Sequence, residues 1–301
     1  MANLPSFSGA TGWLNSPPLT PEGLRGKVVL VDFWTYTCIN WLRTLGYVRA
    51  WFDKYRDNGL VVLGIHTPEF PFEHDLDNVD EAVKEMRVEY PVALDNDYAV
   101  WRAFDNHYWP AVYIADAEGR IRYHHFGEGA YDECEREIQK LLGVDDGLVS
   151  VADEGFEAQA DWANLESPET YLGAEQAQNF AGFDEGNLQL NNWALSGDWT
   201  IGGRASVLNG AEGGIAYRFH ARDVNLVMGP PQRGTEVPFR VRVDGEPPGA
   251  AHGLDVDEQG LGTLSQQRLY QLVREPGSIG DRTFEISFEA PGVEAYCFTF
   301  G

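Results

Sequence analysis

The 301-residue sequence predicts two domains, an α/β domain followed by an all-β sandwich. In residues 1–143, apolar strand-like runs alternate with segments whose apolar residues recur every three or four positions, which indicates helices packed on a central sheet. From residue 188 to residue 301, short alternating runs are separated by Gly, Pro and Asn, which favours an antiparallel sandwich. Residues 144–187 between them are acidic and irregular, so we expect a linker or a wrapping segment there.

The first domain shows the pattern of a sheet covered on both faces. Apolar β-branched runs predict buried strands, and Asn58-Gly59 is a typical helix stop. In chain order we expect a strand over 27–33, a helix over 39–57, a strand over 60–66, a helix over 77–88, a short strand over 91–94, a short helix over 98–104, a hairpin of 111–115 with 121–126, and a closing helix over 131–142.

The second domain is predicted from short strands alone. The runs lie over 199–201, 214–219, 224–228, 239–243, 268–273, 283–288 and 295–300. Three of its aromatic residues, Trp193, Trp199 and Tyr217, would stack on sugar rings if they were exposed. Aromatic residues of a sandwich belong to the core more often, so the core interpretation is favoured over a glycan-binding role.

Charge and hydropathy exclude several classes of function. The net charge of −25 argues against a nucleic-acid partner, which would require a basic patch. No apolar stretch approaches the roughly 18 residues that span a membrane, and residues 1–18 lack the basic and apolar regions of a signal peptide. The sequence contains no P-loop, no dinucleotide-binding glycine motif and no zinc-ligand spacing, so we expect no cofactor and no metal.

Of the three cysteines, Cys38 is the candidate for chemistry. Three cysteines are too few for a disulfide scaffold, and Cys134 and Cys297 are interpreted as small buried hydrophobic residues. Cys38 follows a buried strand at the predicted start of a helix, where the helix dipole favours a thiolate. Asp32 lies six residues earlier within the apolar strand, where burial would raise the pKa of its carboxyl group. A C-x-x-C motif would place a second cysteine at Trp41.

The segment VDFWTYTCINW at residues 31–41 resembles the active-site strand and helix of thioredoxins. The wider chain resembles the thioredoxin-like part and the carbohydrate-binding-module-like, jelly-roll-like β-sandwich of the DipZ family, whose members are extracytoplasmic thiol-disulfide proteins related to the redoxin and TlpA groups. The segments that carry this resemblance are FWTYTCIN, LVVLGIHTPEFPFE, YPVALDNDYAVWRAF, NHYWPAVYI and HHFGEGAYDE in the first domain, and WALSGDW, IAYRFHARDV and PGAAHGLD in the second.

The resemblance implies thiol-disulfide exchange outside the cytoplasm, although the absence of a visible signal peptide leaves a cytoplasmic location open. Cys38 would be the attacking cysteine, Asp32 the buried acid that moves protons, and Pro110 a cis-proline that orients the substrate. The sequence departs from the family at Trp41, where a cysteine is expected, and at Gly46, where proline is usual. With Trp41 in that position, Cys38 can capture a disulfide, but its release requires another thiol.

Six further residues are predicted to contact the substrate. They are Trp34, Thr35, Trp41, His66, Glu69 and Trp109, which flank Cys38 and Pro110 or follow the second strand. The expected partners are a disulfide-bonded protein or a small thiol, with a glycan or a membrane-bound electron donor as further candidates. Two alternatives remain open: a thioredoxin-fold binding module with impaired catalysis, and a single-cysteine peroxidase, for which the Thr35-x-x-Cys38 spacing is the weaker evidence.

Overall fold

The computed structural model describes residues 3–183 and 188–301. It divides the chain into two compact units that meet between residues 158 and 159. Residues 144–158 of the predicted connecting segment therefore belong to the first unit, and residues 159–183 belong to the second. Residues 1 and 2 of the predicted first domain and residues 184–187 of the connecting segment lie outside the described residues. Among the described residues, no helix combines the length and the apolar character needed to cross a membrane.

The helices and strands predicted for the first domain are confirmed, with ends that differ by at most three residues. The structure also contains a short edge strand over Gly12–Leu14 that the sequence does not predict. The elements are β1 (Gly12–Leu14), β2 (Val28–Trp34), α1 (Ile39–Tyr55), β3 (Leu60–His66), α2 (Leu76–Glu85), β4 (Val92–Leu94), α3 (Ala99–Ala103), β5 (Ala111–Ala115), β6 (Ile121–Phe126) and α4 (Tyr131–Leu142).

In the described part of the first unit, six strands form one mixed sheet in the order β1-β4-β3-β2-β5-β6. Strands β2, β3 and β4 are parallel, and β5 runs antiparallel to β2. Strand β2 is central and buried along its whole length, because both faces of the sheet are covered. Alternate residues of β2 therefore point to different cores: Val31 and Phe33 pack beside Trp101, whereas Asp32 and Trp34 point to the opposite face, where α1 packs.

Residues 144–158 wrap around α1 rather than leaving the first unit. The guanidinium group of Arg49 donates a hydrogen bond to Glu157 Oε1, and the two side chains form an ion pair of 2.5 Å. A Cβ atom placed on Gly46 would lie 2.6 Å from both Val151 Cγ1 and Glu157 Oε2. The wrapping segment thus occupies the space that a side chain at position 46 would need, which gives a local reason for glycine in this helix.

The second unit is an antiparallel β-sandwich. Its strands are β7 (Thr170–Tyr171), β8 (Trp193–Ile201), β9 (Ser206–Phe219), β10 (Asp223–Gly229), β11 (Val237–Val243), β12 (Leu261–Leu264), β13 (Arg268–Arg274), β14 (Arg282–Phe288) and β15 (Glu294–Phe300). The long strand β9 pairs with β15 near Ser206 and with β14 from Gly213 onward, so one strand takes part in both layers. The alternating burial of β11 and β14 places every second side chain in a shared apolar core.

The structure corrects the conditional glycan-binding role of three aromatic residues in this unit. Trp193 and Tyr217 are fully buried, and Trp199 is only 6% exposed. Their polar atoms are satisfied inside the protein: Trp193 Nε1 donates to the Gln178 carbonyl at 2.8 Å, and Tyr217 Oη lies 2.8 Å from Thr170 Oγ1. None of the three presents a ring face to solvent, so they stabilise the sandwich core instead.

Candidate active site

Cys38 lies at the junction between the central strand and the first helix. It is the N-cap residue of α1, its N–H donates to the Thr35 carbonyl at 3.2 Å, and its carbonyl accepts from Leu42 N–H at 3.0 Å. The preceding residues 35–37 are buried, whereas Cys38 is half-buried. Cys38 is therefore partly exposed at the N-terminal end of a 17-residue helix, where the helix dipole favours negative charge.

Trp41 lies three residues after Cys38, where a C-x-x-C motif would have its second cysteine, and its side chain is turned towards Asp32. The indole Nε1–H donates a hydrogen bond to Asp32 Oδ2 at 2.9 Å. The same indole stacks on Trp34 with 4.3 Å between ring centroids and 21° between planes. All three side chains are fully buried. The indole of Trp41 thus lies between Asp32, to which it donates, and the ring of Trp34, on which it stacks.

Burial raises the pKa of Asp32 to about 7, and the hydrogen bond from Trp41 opposes that shift only in part. Its other oxygen, Oδ1, has no hydrogen-bond partner among the described protein groups. Burial, and then the charge of Asp32, raises the pKa of Tyr90 well above its usual value. The buried acid of β2 therefore changes its protonation state near neutral pH.

Gly64 makes room for this cluster from the neighbouring strand. It pairs with Asp32 in the parallel register of β2 and β3. A Cβ atom on Gly64 would lie 2.7 Å from Trp34 Nε1 and 3.1 Å from Tyr90 Cε2. Both rings are fully buried, so neither has open space into which it could move.

We expect Gly64→Ala to destabilise the first unit by about 1–3 kcal/mol, because the added methyl group overpacks a closed core. Urea unfolding of the variant and of the wild-type protein measures the difference. Gly147→Ala is the matched control, since a Cβ atom there meets no heavy atom within 4 Å. Equal losses in the two variants would contradict the packing argument.

Four of the six residues predicted to contact the substrate are inaccessible. Trp34, Thr35, Trp41 and His66 are each 0% exposed. Trp34 packs against both Trp41 and His66. Burial, together with electrostatic interaction with His74, lowers the pKa of His66 to about 3, so the imidazole of His66 is neutral at physiological pH. The structure therefore corrects their role from substrate contact to support of the site from below.

The other predicted residues lie at the same end of the sheet as Cys38. The Trp109–Pro110 peptide bond is cis, in agreement with the resemblance. The pairing of Phe33 with Ala111 places Pro110 beside the end of β2. Trp109 is half-buried and its Nε1–H donates to the Thr67 carbonyl at 3.1 Å. Glu69 is also half-buried, so Glu69 and Trp109 remain accessible candidates for substrate contact.

The sequence analysis missed Glu73, a fully buried carboxylate next to the Cys38 segment. Its Oε1 accepts from Thr37 Oγ1 at 2.6 Å, and its Oε2 accepts from the N–H groups of Glu69 and Phe70 at 2.6 and 2.8 Å. Burial raises its pKa, and the hydrogen bonds to the carboxylate partly oppose the shift. No local spacing signals this contact, because 36 positions separate Thr37 from Glu73.

The other two cysteines, Cys134 and Cys297, are buried and therefore inaccessible to a disulfide substrate. Cys134 and Cys297 are each 1% exposed, and the three cysteines form no disulfide within the described residues. Burial raises the pKa of Cys134 to about 11, which keeps it as an unreactive thiol. Within residues 3–183 and 188–301, no cluster of three or more His, Cys, Asp or Glu side chains is arranged to hold a metal ion.

Two family models match separate parts of the chain. The AhpC/TSA family model matches residues 4–124, and the model described as thioredoxin like C-terminal domain matches residues 167–301. Over 259 residues the chain is 39% identical to the DipZ proteins of Mycobacterium tuberculosis and Mycobacterium bovis, which covers 81% of the chain and 36% of each DipZ protein. The chain is a DipZ homologue. It spans about a third of the length of these curated relatives.

Other relatives match the first half of this DipZ homologue alone. The thiol-disulfide oxidoreductase YkuV of Bacillus subtilis is 28% identical over 139 residues, which covers 46% of the chain and 93% of YkuV. Human NHL repeat-containing protein 2 is 34% identical over 134 residues, which covers 44% of the chain and 18% of that protein. A thioredoxin-like protein solved in its oxidised form is 30% identical, with 48% and 97% of the two chains covered and a TM-score of 0.44.

Proposed function

We propose that this protein performs thiol-disulfide exchange through Cys38 alone. Two features together carry the proposal. Cys38 is a half-buried cysteine at the N-cap of α1, and Trp41, three residues later, has a fully buried indole where a resolving cysteine would be expected. The Cys38 thiolate attacks one sulfur of a substrate disulfide, the substrate S–S bond breaks, and the other substrate sulfur leaves as a thiolate. The product is a mixed disulfide between Cys38 and the substrate.

Release then requires a thiol from outside this site. The thiolate of a small thiol or of a partner protein attacks the mixed disulfide and takes one sulfur into a new disulfide. Attack on the substrate sulfur restores the Cys38 thiol, and attack on the Cys38 sulfur restores the substrate thiol. Trp41 has no sulfur and its N–H is engaged by Asp32, so it supports neither route. Because capture uses Cys38 and release uses an external thiol, the site favours disulfide isomerisation or exchange with small thiols over reduction of a substrate disulfide by this protein alone.

The substrate class that fits is a disulfide-bonded protein or a disulfide of a small thiol. Such disulfides persist in oxidising compartments outside the cytoplasm, and we propose an extracytoplasmic setting for that reason. A thiol reductant in that compartment, free or membrane-bound, completes the cycle. The name of YkuV, a thiol-disulfide oxidoreductase that aligns with the first unit, supports the same class of reaction.

Intact-mass measurement after incubation with a peptide disulfide tests this proposal. We expect one adduct per chain, mapped to Cys38 and removed by excess glutathione, because Cys38 is the accessible thiol. Cys38→Ser should form no adduct, and Cys134→Ser should react like the wild-type protein, since Cys134 is buried. A wild-type protein that forms no adduct while folded would contradict the proposed function.

A further inference from the structure

Glu73 joins the Cys38 segment to the loop that follows β3. Thr37, which directly precedes Cys38 and is 2% exposed, donates its hydroxyl proton to Oε1. The backbone N–H groups of Glu69 and Phe70 donate to Oε2. One buried carboxylate therefore receives three donors from two segments that are separate in sequence.

The same loop is also fixed to the segment that carries the cis-proline. Trp109 Nε1 donates to the Thr67 carbonyl at 3.1 Å, and the Tyr98 hydroxyl donates to the Pro68 carbonyl. Because Trp109 forms the cis peptide bond with Pro110, the path of contacts runs from Cys38 through Glu73 to the cis-proline. If Glu73 loosens, Thr37 loses its hydrogen-bonded connection to that loop.

The donor set explains why this position holds an acid. A carboxylate accepts at both oxygens, whereas an amide offers one acceptor oxygen and one donating NH₂ group. In a Gln side chain the NH₂ group would face either the two backbone N–H groups, which cannot accept a hydrogen bond, or Thr37, whose hydroxyl group would then accept instead of donate. In either orientation the buried site loses a charge-assisted hydrogen bond. Burying an ionised carboxylate is costly, and hydrogen bonds to the charged form offset that cost.

We propose that Glu73 is a positioning residue for Cys38, one that holds the Thr37–Cys38 turn and the residue 67–70 loop in the geometry needed for disulfide capture. The inference rests on the proposed function and adds a residue to it. Glu73 is fully buried, so it acts through Thr37 and the loop and does not touch the substrate. No chemical step is assigned to it.

The test compares rates of mixed-disulfide formation at Cys38 for Glu73→Gln, Thr37→Val, the double variant and Thr37→Ser. Each of the first two removes a charge-assisted hydrogen bond and is expected to slow capture by about tenfold. The double variant should be little slower than either single variant, because both changes break the same contact. Thr37→Ser keeps the hydroxyl group and should react faster than Thr37→Val.

Glu135→Gln is the matched control. Glu135 is another buried carboxylate, which accepts from Tyr55 Oη–H at 2.5 Å and from Val149 N–H at 2.8 Å. Tyr55 ends α1, so this site lies about 25 Å along the helix from Cys38. The control should lose stability and keep the wild-type capture rate.

Two results would overturn the inference: wild-type capture rates in folded Glu73→Gln and Thr37→Val, or additive losses in the double variant. Circular dichroism establishes that each variant is folded, and Thr37→Val decides the matter if Glu73→Gln does not fold. If the wild-type protein captures no disulfide, the proposed function fails separately. The role of Glu73 is then judged by the rate of iodoacetamide alkylation at Cys38 in the same variants, with equal rates counting against it.

Discussion

Replacing Trp41 with cysteine is expected to raise the rate of substrate release by on the order of 10³-fold over release by millimolar external thiol, because a well-oriented intramolecular group has a very high effective concentration. Position 41 lies one helical turn after Cys38, on the face of α1 that meets Asp32. The new thiol would lie beside Asp32. Because the pKa of Asp32 is about 7, its carboxyl group is suited to exchanging a proton with that thiol. Insulin reduction with a thiol donor measures turnover.

The substitution also removes a large buried side chain, so stability must be followed in parallel. Truncating a buried Trp costs about 3–5 kcal/mol, and the stacking on Trp34 is lost as well. Trp41→Ser is the matched control, since it leaves a similar cavity without a thiol. Turnover that rises equally in both variants would show that loosening the site matters and not the second sulfur. If turnover does not rise in a folded Trp41→Cys variant, a role that uses a single thiol, or a binding role, is favoured.

The sequence predicts the first domain well because its signals are local. Helix α1 follows from apolar residues spaced three or four apart. After α1, a 3₁₀ turn over Arg56–Asn58 ends at Gly59, which adopts a left-handed φ of 102°. Strand β1 has no such signal, because its three residues become a strand only by pairing with β4. In the second domain, β9 is longer than predicted because Gly210 and Gly213, which precede the predicted strand over 214–219, suggest a turn. Pairing with β8 and β14 keeps Gly213 and Gly214 extended.

In the candidate site, too, the residues with local sequence signals are predicted, and the contacts that depend on distant parts of the chain are not. Cys38, Asp32 and Pro110 lie at positions that a strand, a helix start and an X-Pro bond mark in the sequence. Whether a flanking side chain is buried depends on the far side of the sheet: His66 ends a strand covered on both faces, so alternation carries no information about its exposure. The contact between Thr37 and Glu73 depends on how a loop returns to the sheet, and no residue spacing encodes it.

Replacing Asp32 with asparagine is expected to stabilise the first unit at pH 8 and to have little effect at about pH 4. The pKa of Asp32 rises from 3.8 when unfolded to about 7 when folded. Below pH 3.8 both states are protonated and the acid carries no penalty. As the pH rises to 7 the unfolded chain ionises first, so stability falls through this window and the loss is complete above it. At roughly 1.4 kcal/mol per pKa unit, the full penalty is about 4 kcal/mol.

Urea unfolding of the wild-type protein and Asp32→Asn at several pH values isolates this one group, since other titrations are common to both. The amide oxygen of asparagine can still accept from Trp41 Nε1–H, so the stack on Trp34 is preserved. Asp116→Asn supplies a control of opposite sign. Burial raises the pKa of Asp116, but hydrogen bonds and the charge of Arg120 outweigh it and leave the pKa lowered, so this substitution should cost stability at neutral pH. A stability gain in Asp32→Asn that is equal at pH 4 and pH 8 would contradict this prediction, because a gain that does not depend on pH cannot come from ionisation of the buried acid.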